Sequence, residues 1–309
     1  VTTDVRTGAV RALVGGPGFD EWRFNIATQG EGRQAGSSFK TFVLAAALES
    51  GIVPTDTISG SAPCFIPNPG GTEDPAQIDN YGESRGGGGN LVAQTQRSSN
   101  CAFARLGQVV GLDRVIEVAR RMGMTGRMEA VPSLPIGSME VHPIEMAAAY
   151  ASLGNDGIHN DPYYIDRIED AEGNVVYEHH PDGTRAVSRQ TARLATQVLE
   201  ANVTGGTGTR ARVSTQPTAG KTGTAQQSHD AWFVGYTPQY ATAVWMGVPG
   251  SQVPMYNVGG INVTGGSYPA RIFGQYMNAV LEGTERADFP EPAGTRRGRE
   301  LRPPYEERP

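Results

Sequence analysis

The sequence has few of the features that mark a membrane span, a nucleic-acid partner or a metal centre. No run of about eighteen apolar residues occurs, so no segment predicts a membrane-spanning helix. The formal net charge is -6 and no basic stripe runs along the chain, which argues against nucleic-acid binding. The five histidines have no metal-ligand spacing with cysteine or acidic residues, so we expect neither a metal nor another cofactor.

Cysteine is also scarce, because Cys64 and Cys101 are the two examples in the chain. An even pair is compatible with one disulfide in an oxidising compartment. Two unrelated buried thiols fit the sequence about as well, so both interpretations stay open at this point.

What is present is the composition of a globular protein. The 309 residues are 38% hydrophobic and 19% charged, and 41 glycines favour a loop-rich α/β protein of two domains or one large domain with an inserted lobe. The chain starts at Val1 without an initiator methionine, and two β-rich runs flank a turn at residues 6–8, so we expect a hairpin there. Such a start suggests a fragment of a longer protein, with any targeting signal or membrane anchor upstream.

The segment between Gly36 and Gly51 predicts a buried helix. Gly36 and Ser37 suit its start, and Gly51 suits the left-handed residue after its end. Pro54 then prevents continuation. Apolar residues cover most of the circumference between these signals, which is typical of a core helix rather than a surface one.

The rest of the chain divides into three parts. Residues 50–200 are predicted to form a mostly helical lobe, with the four glycines at 86–89 as a flexible connection. Three β-runs at 218–224, 231–236 and 240–248 are expected to pair antiparallel, and the stripe at 269–281 predicts the last helix. Residues 284–309 are rich in arginine, glutamate and proline, so we expect a disordered tail or linker after a domain that ends at residue 283.

Three short motifs combine nucleophilic and basic side chains, and they are Ser37-x-x-Lys40, Ser98-x-Asn100 and Lys221-Thr222-Gly223-Thr224. Ser37 and Lys40 would lie on one helix face about one turn apart. A partly desolvated lysine loses its proton more easily and then suits the activation of a neighbouring serine hydroxyl. Each motif taken singly is also compatible with a helix cap or a turn. Their joint occurrence in this order favours a catalytic site.

With their flanking residues, these motifs resemble the transpeptidase domain of a bifunctional (class A) bacterial penicillin-binding protein. The resemblance runs from Val1 to about Gly283 and includes the segments 33–40, 98–100, 133–135, 145–150, 219–225 and 231–236. It implies the penicilloyl-serine transferase (β-lactamase/transpeptidase-like) α/β fold. The sheet of that fold would be antiparallel and packed by the first and last long helices, with the helical lobe beside it.

The resemblance also implies a serine DD-transpeptidase that cross-links peptidoglycan stem peptides through an acyl-enzyme and is inhibited by β-lactams. The implied catalytic residues are Ser37, Lys40, Ser98, Asn100 and Lys221, the implied substrate-binding residues are Thr222, Gly223 and Thr224, and the implied oxyanion hole is formed by the backbone N–H groups of Ser37 and Thr224. Lys40 would take the proton of Ser37, and Ser98 would relay a proton to the departing amine. Gly223 would let the substrate lie close to its strand.

The partners implied by this resemblance are a D-Ala-D-Ala donor peptide, an amine acceptor and β-lactams as covalent inhibitors. The enzyme would work at the extracytoplasmic face of the bacterial membrane, anchored by an upstream segment outside this chain. In that compartment a disulfide between Cys64 and Cys101 would tie the glycine-rich loop to the wall of the cleft.

Two departures keep alternatives open. The middle motif has Ser99 at its centre instead of aspartate, which is usual among penicillin-binding proteins and less so among class A β-lactamases. No segment resembles the acidic loop that positions a deacylating water in those β-lactamases, since Glu129 and Glu140 are in the wrong setting. The alternatives are a DD-carboxypeptidase or a β-lactamase and, in another class, a β-lactam-sensing or wall-binding module.

Overall fold

A computed structural model describes residues 1–68 and 74–306, which form a sheet-based half and a helix-rich half. Within these residues the α-helices are α1 (Lys40–Glu49), α2 (Leu91–Arg97), α3 (Asn100–Val110), α4 (Leu112–Arg121), α5 (Pro143–Gly154), α6 (Arg189–Gly205) and α7 (Tyr268–Val280). The strands are β1 (Thr2–Asp4), β2 (Val10–Ala12), β3 (Arg33–Gln34), β4 (Thr57–Ser59), β5 (Cys64–Ile66), β6 (Ala76–Ile78), β7 (Gly88–Asn90), β8 (Glu140–Val141), β9 (Ile158–His159), β10 (Arg167–Glu169), β11 (Val175–Glu178), β12 (Thr184–Arg185), β13 (Ala219–Thr224), β14 (Asp230–Tyr236) and β15 (Tyr240–Gly247). None of the described helices is long and apolar enough to cross a membrane.

The main sheet has five strands in the order β13-β14-β15-β1-β2, and every neighbouring pair is antiparallel. The N-terminal hairpin and the three later strands therefore join in one sheet, which confirms the antiparallel sheet predicted from the sequence. Among the described residues β13 has a neighbouring strand on one side alone, so its other edge is open to a ligand or to the helical half.

The two faces of this sheet carry different helices. On one face, the Tyr236 hydroxyl bonds the Thr196 hydroxyl of α6 at 2.8 Å, and α5 packs on the same strands. On the opposite face, the rings of Phe233 and Phe273 lie 4.8 Å apart, which places α7 there. Alternate residues of one strand thus enter separate apolar clusters, as the two-residue period of a strand requires.

Helix α1 lies deeper than the sequence suggests. Its residues Lys40 to Leu48 are all buried, and it packs against α3, α4 and α6. The expectation that the first long helix flanks the sheet is therefore wrong, because α5 and α6 take that place. It is the short 3-10 turn before α1, Gly36–Phe39, that contacts β13 and β14. A helix that is apolar all round needs neighbours on every side, which the helical half supplies.

The C-terminal segment also differs from expectation. Residues 284–306 lie against the domain instead of forming a disordered tail. The ring of Phe289 packs on Tyr236, with centroids 5.5 Å apart, and Arg296 forms an ion pair with the buried carboxylate of Asp56. We call residues 284–306 the C-terminal strap. The boundary at residue 283 stays a prediction.

The far end of the strap joins the helical half through its backbone. The amide of Thr57 donates to the carbonyl of Arg299 at 2.9 Å, and the amide of Leu301 donates to the carbonyl of Thr57 at 2.8 Å. The Leu301 side chain is buried. The composition argument failed here because a segment too polar to fold alone still becomes ordered when the domain supplies its partners.

The glycine-rich connection is likewise ordered. Residues 88–90 form β7, which pairs antiparallel with β4, and the amide of Gly60 donates to the carbonyl of Gly87 at 3.0 Å. The prediction of a flexible connection at residues 86–89 is therefore wrong. This ladder braces the segment that leads into α2 and the second motif.

Candidate active site

The first motif lies on the 3-10 turn that precedes α1. Gly36 has φ 52°, and a Cβ atom added there would lie 2.7 Å from the carbonyl oxygen of Thr224. Glycine therefore satisfies both a left-handed backbone and a close approach of the turn to β13. The result places the Ser37 side chain at the end of the buried helix and beside the strand of the third motif.

Lys40 is wholly buried, and its Nζ contacts three oxygens. It lies 2.9 Å from Ser37 Oγ, 2.7 Å from the carbonyl oxygen of Ser98 and 2.7 Å from Asn100 Oδ1. Ser98 Oγ is more distant, at 3.4 Å. None of these partners is a carboxylate, and among the described residues no salt bridge includes Lys40.

The second motif joins two helices. Ser98 has φ 53° and ends α2 in the left-handed conformation, and Ser99 caps α3 by accepting from the amide of Ala102 at 3.2 Å. Asn100 opens α3 and donates from Nδ2 to the carbonyl oxygen of Asp79 at 2.8 Å. This donation turns Oδ1 toward Lys40, which settles the orientation of the amide group.

Lys221 lies on β13 and is also wholly buried. Its Nζ donates to Ser98 Oγ at 2.8 Å and to the carbonyl oxygen of Thr222 at 3.1 Å. Ser98 therefore lies between the two lysines, so one hydroxyl connects the first and third motifs.

Burial perturbs both amines in the same direction. Loss of solvation lowers the pKa of Lys221 to about 7. The pKa of Lys40 is also held well below its ordinary value, first by burial and then by the positive charge of Lys221. Both amines therefore hold their protons more weakly than an exposed lysine does, which favours Lys40 as a proton acceptor.

Strand β13 turns part of its backbone toward the cleft. The amide of Ala225 donates to the carbonyl of Asp230 on β14 at 2.9 Å. Hydrogen bonds to one neighbour involve alternate residues of an antiparallel strand, so the N–H groups of Thr222 and Thr224 point to the open edge. The Thr224 hydroxyl accepts from the amide of Gly265 at 3.1 Å, which leaves its own proton free for a ligand.

Gly223 is needed for packing inside the protein. A Cβ atom added there would lie 2.6 Å from the carbonyl oxygen of Ala35 and 3.1 Å from the Cβ of Ser38. The turn that carries Ser37 therefore leaves no room for a side chain, and glycine allows this turn to pack against β13. That Gly223 lets a substrate lie close to its strand stays a prediction.

One cleft of about 390 Å³ joins the motifs. Its lining includes the predicted residues Ser37, Ser98, Asn100, Thr222 and Thr224. Lys40 and Lys221 lie behind these side chains and Gly223 lies inside the wall, so the structure brings all eight predicted positions into one region. The lining residues that the sequence analysis missed are Tyr81, Arg97, Thr207, Arg210, Thr264, Gly266 and Ser267.

One of these additional residues is held by a chain of hydrogen bonds. The Thr207 hydroxyl lies 2.7 Å from the Thr222 hydroxyl and donates to Asn202 Oδ1 at 3.1 Å. Asn202 in turn donates to the carbonyl oxygen of Gly220 at 2.8 Å. In the sequence, the glycine-rich run at 205–208, at the end of α6, is the signal that could indicate this side of the cleft.

No acidic side chain lines the described part of the cleft. Glu129 and Glu140 lie instead along a separate cavity. Within residues 1–68 and 74–306, no group of three or more His, Cys, Asp or Glu side chains is placed to hold a metal ion. The polar groups available for chemistry are hydroxyls, amides and cationic nitrogens.

A disulfide lies directly beside the second motif, because Cys101 follows Asn100 in the chain. Cys64 and Cys101 are bonded, with Cα atoms 5.7 Å apart, and both are buried. Asn80 lies beside them, where its Oδ1 accepts from Ser99 Oγ at 3.1 Å and from the amide of Cys101 at 3.2 Å. Both contacts fix the start of α3, which carries Asn100.

The fold and the serine–lysine cluster together are those of the β-lactamase/transpeptidase class of serine acyltransferases. The sequence profile of the penicillin binding protein transpeptidase domain matches residues 1–278. The chain therefore belongs to the family of penicillin-binding protein transpeptidase domains.

Individual relatives agree with this family. The chain is 33% identical over 293 residues to penicillin-binding protein 1A of Aquifex aeolicus, covering 94% of this chain and 39% of that protein. The structure of the penicillin-binding protein PonA1 from Mycobacterium tuberculosis has a TM-score of 0.85 and 28% identity, covering 98% of this chain and 83% of that one. PonA1 in complex with penicillin V has a TM-score of 0.83 and 29% identity, covering 96% and 80% of the two chains. The chain spans about two fifths of the length of the curated relative.

Proposed function

We propose that this domain is a serine DD-transpeptidase that cross-links peptidoglycan stem peptides through an acyl-enzyme at Ser37. The observation that carries the proposal is the 2.9 Å contact between Ser37 Oγ, in the cleft, and the amine of Lys40, which is buried without a carboxylate partner among the described residues. Such an amine holds its proton weakly, and a serine hydroxyl needs an adjacent base to become a nucleophile.

The three oxygens around Lys40 determine how its neutral amine is oriented. A neutral amine has two N–H donors and one lone pair. The carbonyl oxygen of Ser98 and Asn100 Oδ1 are acceptors that take the two N–H groups. The lone pair is then left for the hydroxyl proton of Ser37, which is the geometry of a general base.

Acylation would proceed in two steps. Ser37 Oγ forms a bond to the carbonyl carbon of the D-Ala-D-Ala bond while its proton passes to Lys40. The backbone N–H groups of Ser37 and Thr224 would stabilise the oxyanion, an effect worth about 2.7–4 kcal/mol per donor in other hydrolases. The C–N bond then breaks, and Ser98, which lies between the two lysines, passes a proton to the leaving amine.

The terminal carboxylate of the donor would lie at the open edge of β13. The free hydroxyl proton of Thr224 and the outward N–H of Thr222 are donors there, and the Thr222 hydroxyl can join them by turning away from Thr207. Lys221 lies behind these groups and supplies the positive charge. The peptide itself would add to β13 as an extra strand.

An amine, and not water, would resolve the acyl-enzyme. The acceptor amine attacks the acyl carbon and gives up a proton, which passes through Ser98 to Lys40. The new C–N bond forms as the bond to Ser37 Oγ breaks, and Lys40 returns that proton to the serine. A class A β-lactamase positions its deacylating water with a carboxylate, and none lines the described cleft. This absence favours the transpeptidase over such a β-lactamase, and turnover with an added amine separates it from a DD-carboxypeptidase.

β-Lactams would acylate the same serine, in accord with the penicillin V complex of PonA1. The proposed location is the extracytoplasmic face of the bacterial membrane, where stem peptides occur and a disulfide between Cys64 and Cys101 is stable.

Mass spectrometry after incubation with benzylpenicillin tests the nucleophile. We expect the native chain to gain the mass of one intact benzylpenicillin, carried on the peptide that contains Ser37, and Ser37→Ala to gain none. Turnover of a D-Ala-D-Ala thioester analogue with an added amine then tests the reaction. A peptide–amine product supports transpeptidation, an unchanged hydrolysis rate indicates a hydrolase, and a single burst indicates a sensor.

A further inference from the structure

A second cavity adjoins the catalytic cleft. It has a volume of about 420 Å³ and shares Arg210 and Ser267 with the cleft. Tyr268 and Arg271, from the first turn of α7, line this cavity but not the cleft. The two spaces therefore meet at Arg210, and we call the second one the α7 cavity.

The α7 cavity brings two cations together without an anion. Within the described residues, neither guanidinium has a side-chain hydrogen bond or an ion pair, and no acidic residue lines the cavity. A Cβ atom added to Gly274 of α7 would lie 2.7 Å from the carbonyl oxygen of Arg210, so the turn that carries Arg210 packs against α7. Arg271 lies one helical turn before Gly274 on the same helix. Like charges on facing elements repel each other, so a bound anion would relieve the repulsion between Arg210 and Arg271.

The wall of the cavity orients one of these cations. The guanidinium of Arg271 lies over the ring of Tyr268, 5.2 Å from its centroid, and the Tyr268 hydroxyl donates to the carbonyl of Val258 at 3.1 Å. A stacked guanidinium keeps its N–H edge free for a planar, bidentate anion such as a carboxylate. The start of α7 adds the positive end of a helix dipole at the same place.

The position of the cavity indicates which substrate reaches it. Thr207, three residues before Arg210, bonds the Thr222 hydroxyl at 2.7 Å, so this wall stands beside the proposed site of the donor's terminal carboxylate. The donor chain ends at that carboxylate. Once D-alanine leaves, the space beyond it is open to the incoming acceptor.

We infer that the α7 cavity, with Arg210 and Arg271, is an acceptor subsite that binds a second carboxylate on the amino acid or peptide whose amine resolves the acyl-enzyme. In this arrangement the acceptor's amine takes the place of the departed D-alanine amine, and its α-carboxylate takes the place of the departed carboxylate. A further carboxylate extends to the two arginines. This inference rests on the proposed transpeptidase function.

D-Glutamate and D-glutamine form a matched pair of acceptor probes, because they differ only in the side chain, which ends in a carboxylate in the first and in an amide in the second. Aminolysis of the D-Ala-D-Ala thioester analogue is measured with each. We expect the native chain to prefer D-glutamate by about tenfold in kcat/KM, which is the order of one charge-assisted hydrogen bond. The preference should fall to about one in the double variant Arg210→Gln, Arg271→Gln and to an intermediate ratio in Arg271→Gln. The control is Arg6→Gln, an exposed arginine in the turn between β1 and β2, which should keep the preference.

Equal kcat/KM values for the two probes in the native chain overturn the inference. A preference for D-glutamate that the double variant retains in full also overturns it. An effect confined to donors that carry an extra carboxylate, with acceptors unaffected, assigns the cavity to the donor and also overturns it. Binding of the two probes to Ser37→Ala, followed by calorimetry, needs no turnover. A stronger affinity for D-glutamate that Arg271→Gln removes supports the subsite even if the proposed reaction fails, and equal affinities refute it.

Discussion

Two buried cations lie close together in the chain, and the protein surrounds them in opposite ways. Arg33 donates from Nε to Asp230 at 2.7 Å, and Trp245 donates to the same carboxylate oxygen at 2.8 Å. Lys40, at the end of the following turn, has three neutral oxygens and no carboxylate partner in the part of the chain that the structure describes. Arg33 lies on β3 and forms its ion pair with β14, whereas Lys40 begins α1 and contacts the junction of α2 and α3. Both cations are buried.

The difference separates a cation that holds the fold from one that is prepared for chemistry. A carboxylate beside a buried cation compensates its charge and fixes its protonation, so the pair is stable and unreactive. Burial and then the positive charge of Lys221 lower the pKa of Lys40. Its neutral oxygen partners satisfy the N–H groups without the negative charge that would raise the pKa again. Each prediction below tests one side of this contrast.

The largest effect is expected for Lys40→Gln. Loss of the base should lower the rate of Ser37 acylation by benzylpenicillin at least about 10³-fold, as for other general bases. Stability should change little or rise, because the substitution removes a buried amine whose charged form has no counter-ion among the described residues. Stopped-flow acylation and thermal unfolding measure the two quantities. A variant that acylates at the native rate would remove Lys40 from the mechanism.

Asp230→Asn should show the opposite pattern. Breaking the buried pair leaves the Arg33 charge uncompensated and should lower the free energy of unfolding by about 3–5 kcal/mol. The effect on the acylation rate of the folded protein should be below about tenfold, since the pair lies outside the cleft lining. Denaturant titration with acylation kinetics on the same sample checks both. A large loss of rate in a fully folded variant would contradict the separation of the two sites.

Asn80→Ala tests how firmly the neutral oxygens must be held. Asn80 also donates to the carbonyl of Gly60 at 2.8 Å, so its loss removes the bonds that join the segment after β4 to the start of α3. We expect a loss of about 1–3 kcal/mol in stability and a slower acylation, by about tenfold, because Asn100 is less well placed. Asn80→Asp, which keeps the acceptor oxygen for Ser99 and Cys101, should recover part of the rate. A purely structural role would lower stability in both variants and leave the rate unchanged.

The smallest effect concerns pH. The pKa of Lys221 is lowered to about 7 in the folded protein, so between about pH 7 and its ordinary value of 10.5 the unfolded chain binds more protons. Stability therefore rises with pH through this window, and the cost of the buried charge is fully present below pH 7. Lys221→Met should be more stable than the native chain at pH 6, with the difference in Tm shrinking toward pH 10. A difference that is constant across this range would contradict the lowered pKa.

Much of the site could be predicted because its chemistry lies in short motifs. Ser37 and Lys40 are one helical turn apart, so local geometry alone brings them together. The motifs at 98–100 and 221–224 could be assigned through their order and residue types. The use of Gly223 could not be predicted in this way, because it depends on the carbonyl of Ala35 that approaches it from another element. The same holds for Thr207 and Arg210, which follow a helix in the sequence yet line the cleft.

The errors in the fold have a common physical cause. The place of α1 among helices, the pairing of β7 and the packing of residues 284–306 all depend on partners that are distant in the chain. Composition indicates whether a segment can fold alone. These three segments are ordered by contacts with distant parts of the chain, which composition does not reveal.

The sequence by itself determined the N-terminal hairpin, the three strands between residues 218 and 248, the last helix, the buried character of the first helix and the residue types of a serine–lysine site. Those properties follow from periodicity, capping signals and side-chain chemistry, which act over a few residues. Only the tertiary structure decided that Lys40 meets the Ser98 carbonyl and Asn100 instead of a carboxylate, and that Arg210 and Arg271 share a cavity. Desolvation and electrostatic fields arise from atoms gathered from the whole chain, so they exist only once the chain has folded.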